Sequence, residues 1–106
     1  MQAPRFRGLP STTVLGFTVP VATSLRSRAL GLALLDRDRA GEGLLIPRCS
    51  AVHTFGMRFP LDLVFFGDGG RVVELRREVP SRSLVRSGFA ESVLELPGRQ
   101  RPPRRI

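Results

Sequence analysis

Four turn-forming residues, Gly67-Asp68-Gly69-Gly70, sit between two segments of strand character and constrain the chain to reverse there as a hairpin. A reversal that follows the twist of its strands needs positive φ at its centre, which glycine adopts without steric cost. Before the turn, Leu61–Phe66 is apolar on both faces except at Asp62, the pattern of a central strand covered on two sides. After it, residues 71–79 alternate, with Val73, Leu75 and Val79 facing in and Glu74, Arg76 and Glu78 facing out. The hairpin commits this half of the chain to antiparallel β structure.

Flanking segments extend that reading. Leu44-Leu45-Ile46 is a short apolar run closed by Pro47, and residues 91–96 form a last strand stopped by Pro97-Gly98. Residues 50–59 alternate strictly. Ala51, His53, Phe55, Met57 and Phe59 fall on one face, with Val52, Thr54, Gly56 and Arg58 on the other. Residues 80–88 read as a loop. Residues 14–22 carry the β-branched Val14, Thr18, Val19 and Val21 of a strand. Thr23 or Ser24 can cap a helix over residues 25–35, with Leu25, Ala29 and Leu32 on its apolar face. Gly31 inside that helix costs about 1 kcal/mol relative to alanine, which points to close packing against a strand. The charged residues 36–39 and Gly41-Glu42-Gly43 end the helix.

The expected fold is therefore mainly β, bordering α+β: a small antiparallel sandwich or barrel-like sheet of five or six strands with one short helix near residues 25–35. A length of 106 residues allows one domain. Residues 1–12 are expected as a mobile leader, 13–98 as the domain, and 99–106 as a disordered Arg/Pro-rich tail.

Charge and cysteine content narrow the function classes. No apolar run approaches the roughly 20 residues of a membrane-spanning helix. The single cysteine, Cys49, cannot form an internal disulfide, which fits a reducing, cytoplasmic setting. Arg5 and Arg7 ahead of residues 14–22 outline an export signal, but Pro20 interrupts the stretch and its composition suits a strand better. The net charge is +8, and removing the four arginines of the tail leaves +4. Every basic residue is arginine, the remaining ones alternate with acids, and Trp and Tyr are absent. Mixed runs of this kind mark a solvated face rather than a nucleic-acid surface. An RNA-binding accessory protein would have to use the basic tail.

An ordered set of motifs carries a family resemblance. Arg28-Ala29-Leu30-Gly31-Leu32, Gly43-Leu44-Leu45-Ile46, Val52-His53-Thr54-Phe55-Gly56-Met57-Arg58-Phe59-Pro60-Leu61-Asp62 and Leu94-Glu95-Leu96-Pro97 together resemble the domain of unknown function 192 family. The resemblance spans residues 15–98 and implies a compact, mainly β sandwich-like fold without implying an activity. It marks Arg28, Gly31, Gly56, Pro60, Leu61, Asp62, Glu95 and Pro97 as motif residues. Many members carry Trp-Met-Lys-Asn-Thr where this chain has His53-Thr54-Phe55-Gly56-Met57, a subgroup variant. Members also continue past Leu-Glu-Leu-Pro into further structure, whereas Arg99 onward is a basic tail here; the expectation is a truncated or frameshifted end with one exposed sheet edge.

Candidate chemistry centres on His53, the only histidine. The plainer reading is a half-buried imidazole bonded to backbone or to one carboxylate. The functional reading pairs it with Asp62, whose carboxylate would raise the imidazole pKa and fix its tautomer, giving a hydrolase-like general base. Cys49, Ser50 and Thr54 would be the nearest nucleophiles, but none stands in a nucleophile motif. Asp62 itself interrupts an apolar strand and requires a partner, either Arg28, Arg58 or backbone N–H groups at the strand entrance. Cys49 and His53 lie on one strand face but about 13 Å apart, so no metal site is expected, and the sequence names no cofactor. The preferred expectation is a non-catalytic ligand- or protein-binding accessory module. Its site would involve His53, Phe55, Met57, Arg58 and Asp62, and would take a small anion held by Arg58 or a peptide strand added to the open edge.

Overall fold

The computed structural model describes residues 3–98 and is mainly β, with eight short strands and two short helices. The tail at 99–106, and with it the disorder expected there and the alternative of RNA binding through it, lies outside the described residues. The strands are β1 (Ser11–Val14), β2 (Phe17–Pro20), β3 (Leu44–Pro47), β4 (Ala51–His53), β5 (Leu61–Phe66), β6 (Val72–Val79), β7 (Leu84–Arg86) and β8 (Ser92–Pro97). Helix α1 covers Leu25–Leu30 and α2 Arg37–Ala40.

A four-stranded antiparallel sheet in the order β3-β8-β5-β6 forms the centre, so β5 is an interior strand, as its two-sided apolar pattern required. The hairpin from β5 to β6 turns where expected. Gly69 and Gly70 take φ of 71° and 76°, and the Gly67 N–H donates to the Arg71 carbonyl at 2.7 Å. Strand β8 lies between β3 and β5, and β6 is a sheet edge among the described residues.

The pleat divides the core into two layers. Leu61, Leu63 and Phe65 of β5 join Leu44, Ile46 and Val93 on one face, which Leu32, Leu35, Val52, Met57, Phe59 and Val85 cover. Val64, Phe66 and Leu94 point to the other face and meet Val19 of β2. The β1–β2 hairpin therefore covers one side of the sheet, while residues 32–35, α2 and the β4–β7 pair cover the other.

Five local features differ from the sequence reading, each for a physical reason, and one cap agrees with it. Helix α1 stops at Leu30 because Gly31 turns the chain with φ of 53°; Leu25 is left exposed and Leu32 enters the core from the following turn. Ser24 caps α1 through a reciprocal pair with Ser27, as a Thr23 or Ser24 cap foresaw. Residues 14–22 make a hairpin rather than one strand, since Leu15 and Gly16 take φ of 52° and 83°. Residues 80–88, read as a loop, contain β7, which pairs with β4 from Leu84 to Arg86. Where residues 1–12 read as a mobile leader, residues 3–12 dock: Ala3 and Phe6 are buried in the first core layer and β1 begins at Ser11. Of Val73, Leu75 and Val79 in β6, expected to face in, only Val79 is buried, because an edge strand has cover on one flank only.

Candidate functional site

Strand β4 ends at His53, and the inward residues there are Val52 and Thr54 rather than His53 and Phe55. Thr54 is accepted in the core because its hydroxyl is fully used. Oγ1 donates to the Pro80 carbonyl at 2.7 Å and accepts from the Ser83 N–H at 2.8 Å. The chain then turns through Gly56, at φ of 79°, and Met57 donates back to the Thr54 carbonyl at 3.2 Å. That turn breaks the alternation, so Met57 and Phe59 are buried while His53 and Phe55 stay outside.

The five residues expected to share a site are thereby dispersed. His53 Nε2 lies 3.2 Å from the Ala29 carbonyl oxygen, and its ring stacks at a tilt on Phe55 with centroids 5.9 Å apart. Arg58 donates to Asp36 Oδ1 at 2.8 Å in an exposed ion pair, and Met57 is core. Asp62 sits on the opposite pleat from Leu61 and Leu63, beside Val64 and Leu96, and its Oδ1 accepts the Glu78 N–H at 2.8 Å. The carboxylate thus takes the backbone partner foreseen as one option, while Arg28 donates to the Pro47 and Arg48 carbonyls instead. His53 and Asp62 stand on different faces of the sheet, and the structure does not bring the expected dyad together. Among the described residues, no group of three or more His, Cys, Asp or Glu side chains is gathered to hold a metal.

The face that carries Asp62 presents the larger concavity. A groove of about 500 Å³ runs between the β1–β2 turn and the sheet, floored by Val64 and Leu96 and walled by Leu15, Phe17, Val72 and Leu75. Asp62, Glu42 and Arg77 supply its polar groups. Glu42 Oε2 accepts the Thr18 N–H at 2.7 Å and so ties the groove wall to the loop before β3. The apolar side chains Leu15, Val72 and Leu75 remain about half exposed, an uncovered surface rather than a finished core.

A second, smaller cleft of about 40 Å³ lies on the other side of the sheet, lined among others by Arg28, Gly31, Cys49, His53 and Glu95. Glu95 is in the middle of β8, opposite both Leu44 and Leu63, and is 2% exposed. Burial pushes its carboxyl up to about 8, and only a hydrogen bond from the Leu32 backbone pulls the other way. Its Oε1 has no hydrogen-bond partner among the described residues. Gly31 lies directly against it, where a Cβ would come within 2.6 Å of Oε1. Arg5 closes the turn above by donating to the Gly31 carbonyl at 3.1 Å, and burial together with Arg26 lowers the Arg5 pKa. Residues from three separate parts of the chain, Arg28 and Gly31, His53, and Glu95, thus converge on one cleft. The sequence signal for it was a carboxylate inside the apolar run Val93-Leu94-Glu95-Leu96, the same signal that drew attention to Asp62.

Architecture and clefts together define a small antiparallel β domain with a groove on one face of its central sheet and a buried carboxyl beside a small cleft on the other. The family model for the domain of unknown function 192, described as uncharacterized ACR, matches residues 9–102, and the chain belongs to that family, whose function is uncharacterised. Two solved structures share the fold. A putative transcription regulator from Sinorhizobium meliloti has a TM-score of 0.67 at 22% identity, over 83% of this chain and 77% of its own. A protein of unknown function from Novosphingobium aromaticivorans has a TM-score of 0.60 at 20% identity, over 83% of this chain and 71% of its own. No curated protein matches the chain. Among the described residues, no helix is long and apolar enough to cross a membrane.

Proposed function

We propose that this protein is a non-catalytic binding module whose ligand is a small amphipathic molecule lying in the groove between the β1–β2 hairpin and the sheet. The observation that carries this reading is the groove itself, about 500 Å³ with mainly apolar walls. That volume falls within the roughly 300–1,000 Å³ typical of small-molecule sites, where a few polar groups fix orientation. Asp62, Glu42 and Arg77 are suited to that role at the rim. The separation of His53 from Asp62 favours binding over a His53/Asp62 hydrolase. The Asp36 partner of Arg58 disfavours an anion held there. A single cysteine is consistent with work in the cytoplasm.

Titration of ¹⁵N-labelled protein with decylamine and decanoate tests the proposal. Saturable amide shifts are expected at residues 15–17, 62–64 and 96, and Leu75→Arg should weaken them at least tenfold. Shifts confined to the amides of β6 would indicate a peptide-like edge interaction instead. Shifts scattered over the surface, or indifferent to Leu75→Arg, would remove the groove as the site.

A further inference from the structure

The small cleft beneath Gly31 is independent of the groove, because Glu95 and Asp62 project from opposite faces of the sheet. We propose that this cleft binds a small carboxylate, whose oxygen takes the hydrogen bond that Glu95 Oε1 lacks and whose charge is met by Arg28.

The argument starts from hydrogen-bond inventory. A carboxyl group this deeply buried with one backbone donor is more stable as the neutral acid. A neutral acid has a carbonyl oxygen that accepts and a hydroxyl that donates. The Leu32 backbone N–H serves the accepting oxygen. Oε1, which has no partner, is then the hydroxyl, and what it lacks is an acceptor. Gly31 lets the turn pack directly against the carboxyl at one wall of the cleft, since a Cβ there would come within 2.6 Å of Oε1.

Charge selects among acceptors. Arg28 lines the cleft, and its hydrogen bonds to the Pro47 and Arg48 carbonyls occupy two of the five guanidinium N–H groups. Arg5 stands over the same turn, and His53 forms another part of the wall. An anionic acceptor therefore suits the site better than a carbonyl or a lone water. Size limits the ligand further. About 40 Å³ exceeds the roughly 10–15 Å³ that one water requires, yet leaves no room for a long chain. A carboxylate head with one or two carbons fits, whether from a free short-chain acid or from the C-terminus of a peptide.

The test is an amide-shift titration of the whole chain with sodium formate and sodium acetate at pH 6.5, with chloride replacing them at equal ionic strength. Saturable shifts at Gly31, Leu32 and His53 are expected with both acids and not with chloride. Glu95→Gln retains a donor and should bind from pH 6 to 9, whereas the wild type should lose binding above pH 8. Glu95→Leu should abolish it. A tripeptide that competes with formate as the free acid but not as the C-terminal amide identifies a peptide end; competition only by short acids identifies a free metabolite-sized ligand. Equal shifts with chloride, or binding with one shared pH profile in the wild type and Glu95→Gln, would overturn the proposal. An ordered water at Oε1 with no response to formate would do so as well.

Discussion

Glu95 makes the stability of this domain depend on pH in a window where most proteins are insensitive. Burial raises its carboxyl from an ordinary 4.5 to about 8. Below pH 4.5 the acid is neutral in both folded and unfolded chains and costs nothing. Between 4.5 and 8 the unfolded chain releases the proton while the folded chain retains it, so stability falls as pH rises. At 1.36 kcal/mol for each pH unit, the loss is about 3 kcal/mol by pH 7 and about 5 kcal/mol once the folded form also ionises. Such a loss is a large share of the roughly 5–15 kcal/mol that holds a typical domain together. Urea unfolding at pH 5, 7 and 9 measures the effect, with Glu95→Gln as the reference that cancels every other titrating group. The wild-type midpoint should fall by a few molar across the series relative to the variant, given slopes of about 1–3 kcal/mol per molar. Midpoints that move in parallel would refute the reasoning, because they would mean that Glu95 is not isolated from water.

Other expectations follow from packing. Gly31→Ala places a methyl group 2.6 Å from Glu95 Oε1 at φ of 53°, and should cost about 2 kcal/mol or more, read as a melting temperature lower by roughly 10 °C. Phe6→Ala should cost about 3 kcal/mol or more in a urea titration, since Phe6 is 2% exposed; an unchanged midpoint would return residues 3–9 to a mobile leader. Asp62→Ala removes the acceptor of the Glu78 N–H and should cost about 1 kcal/mol in a urea titration; an unchanged midpoint would mean that this bond adds nothing to stability.

Much of the frame is legible in the sequence. The glycines at 67–70 require a reversal because few residues tolerate its backbone, and β5, apolar on both faces except at Asp62, reads as an interior strand. The candidate site was less legible, for reasons that can be named. Thr54 looks like an outward residue until Pro80 and Ser83 supply its partners, and those partners come from a segment with no periodicity of its own. Thr54 points inward and His53 and Phe55 point out, a choice between two faces that alternation alone leaves open. Gly31 was recognised as a costly helix residue, yet the neighbour that it accommodates is the side chain of Glu95, more than sixty residues away. Pairings across the sheet are long-range facts, and alternation within one strand does not encode them.

The position of β8 has a consequence for how the molecule folds. It is the last strand in chain order but an inner one in space, bonded to β3 on one flank and β5 on the other. Until it arrives, β3 and the β5–β6 hairpin share no hydrogen bonds, and neither half of the sheet has a complete layer to bury. The closing step joins residues 44–47 to 92–95, a long loop to fix before any reward is gained. Folding of this domain should therefore be slow for its size, in milliseconds to seconds, and all-or-none. A chain cut before residue 92 would carry two bare strand edges that are free to capture each other in neighbouring molecules.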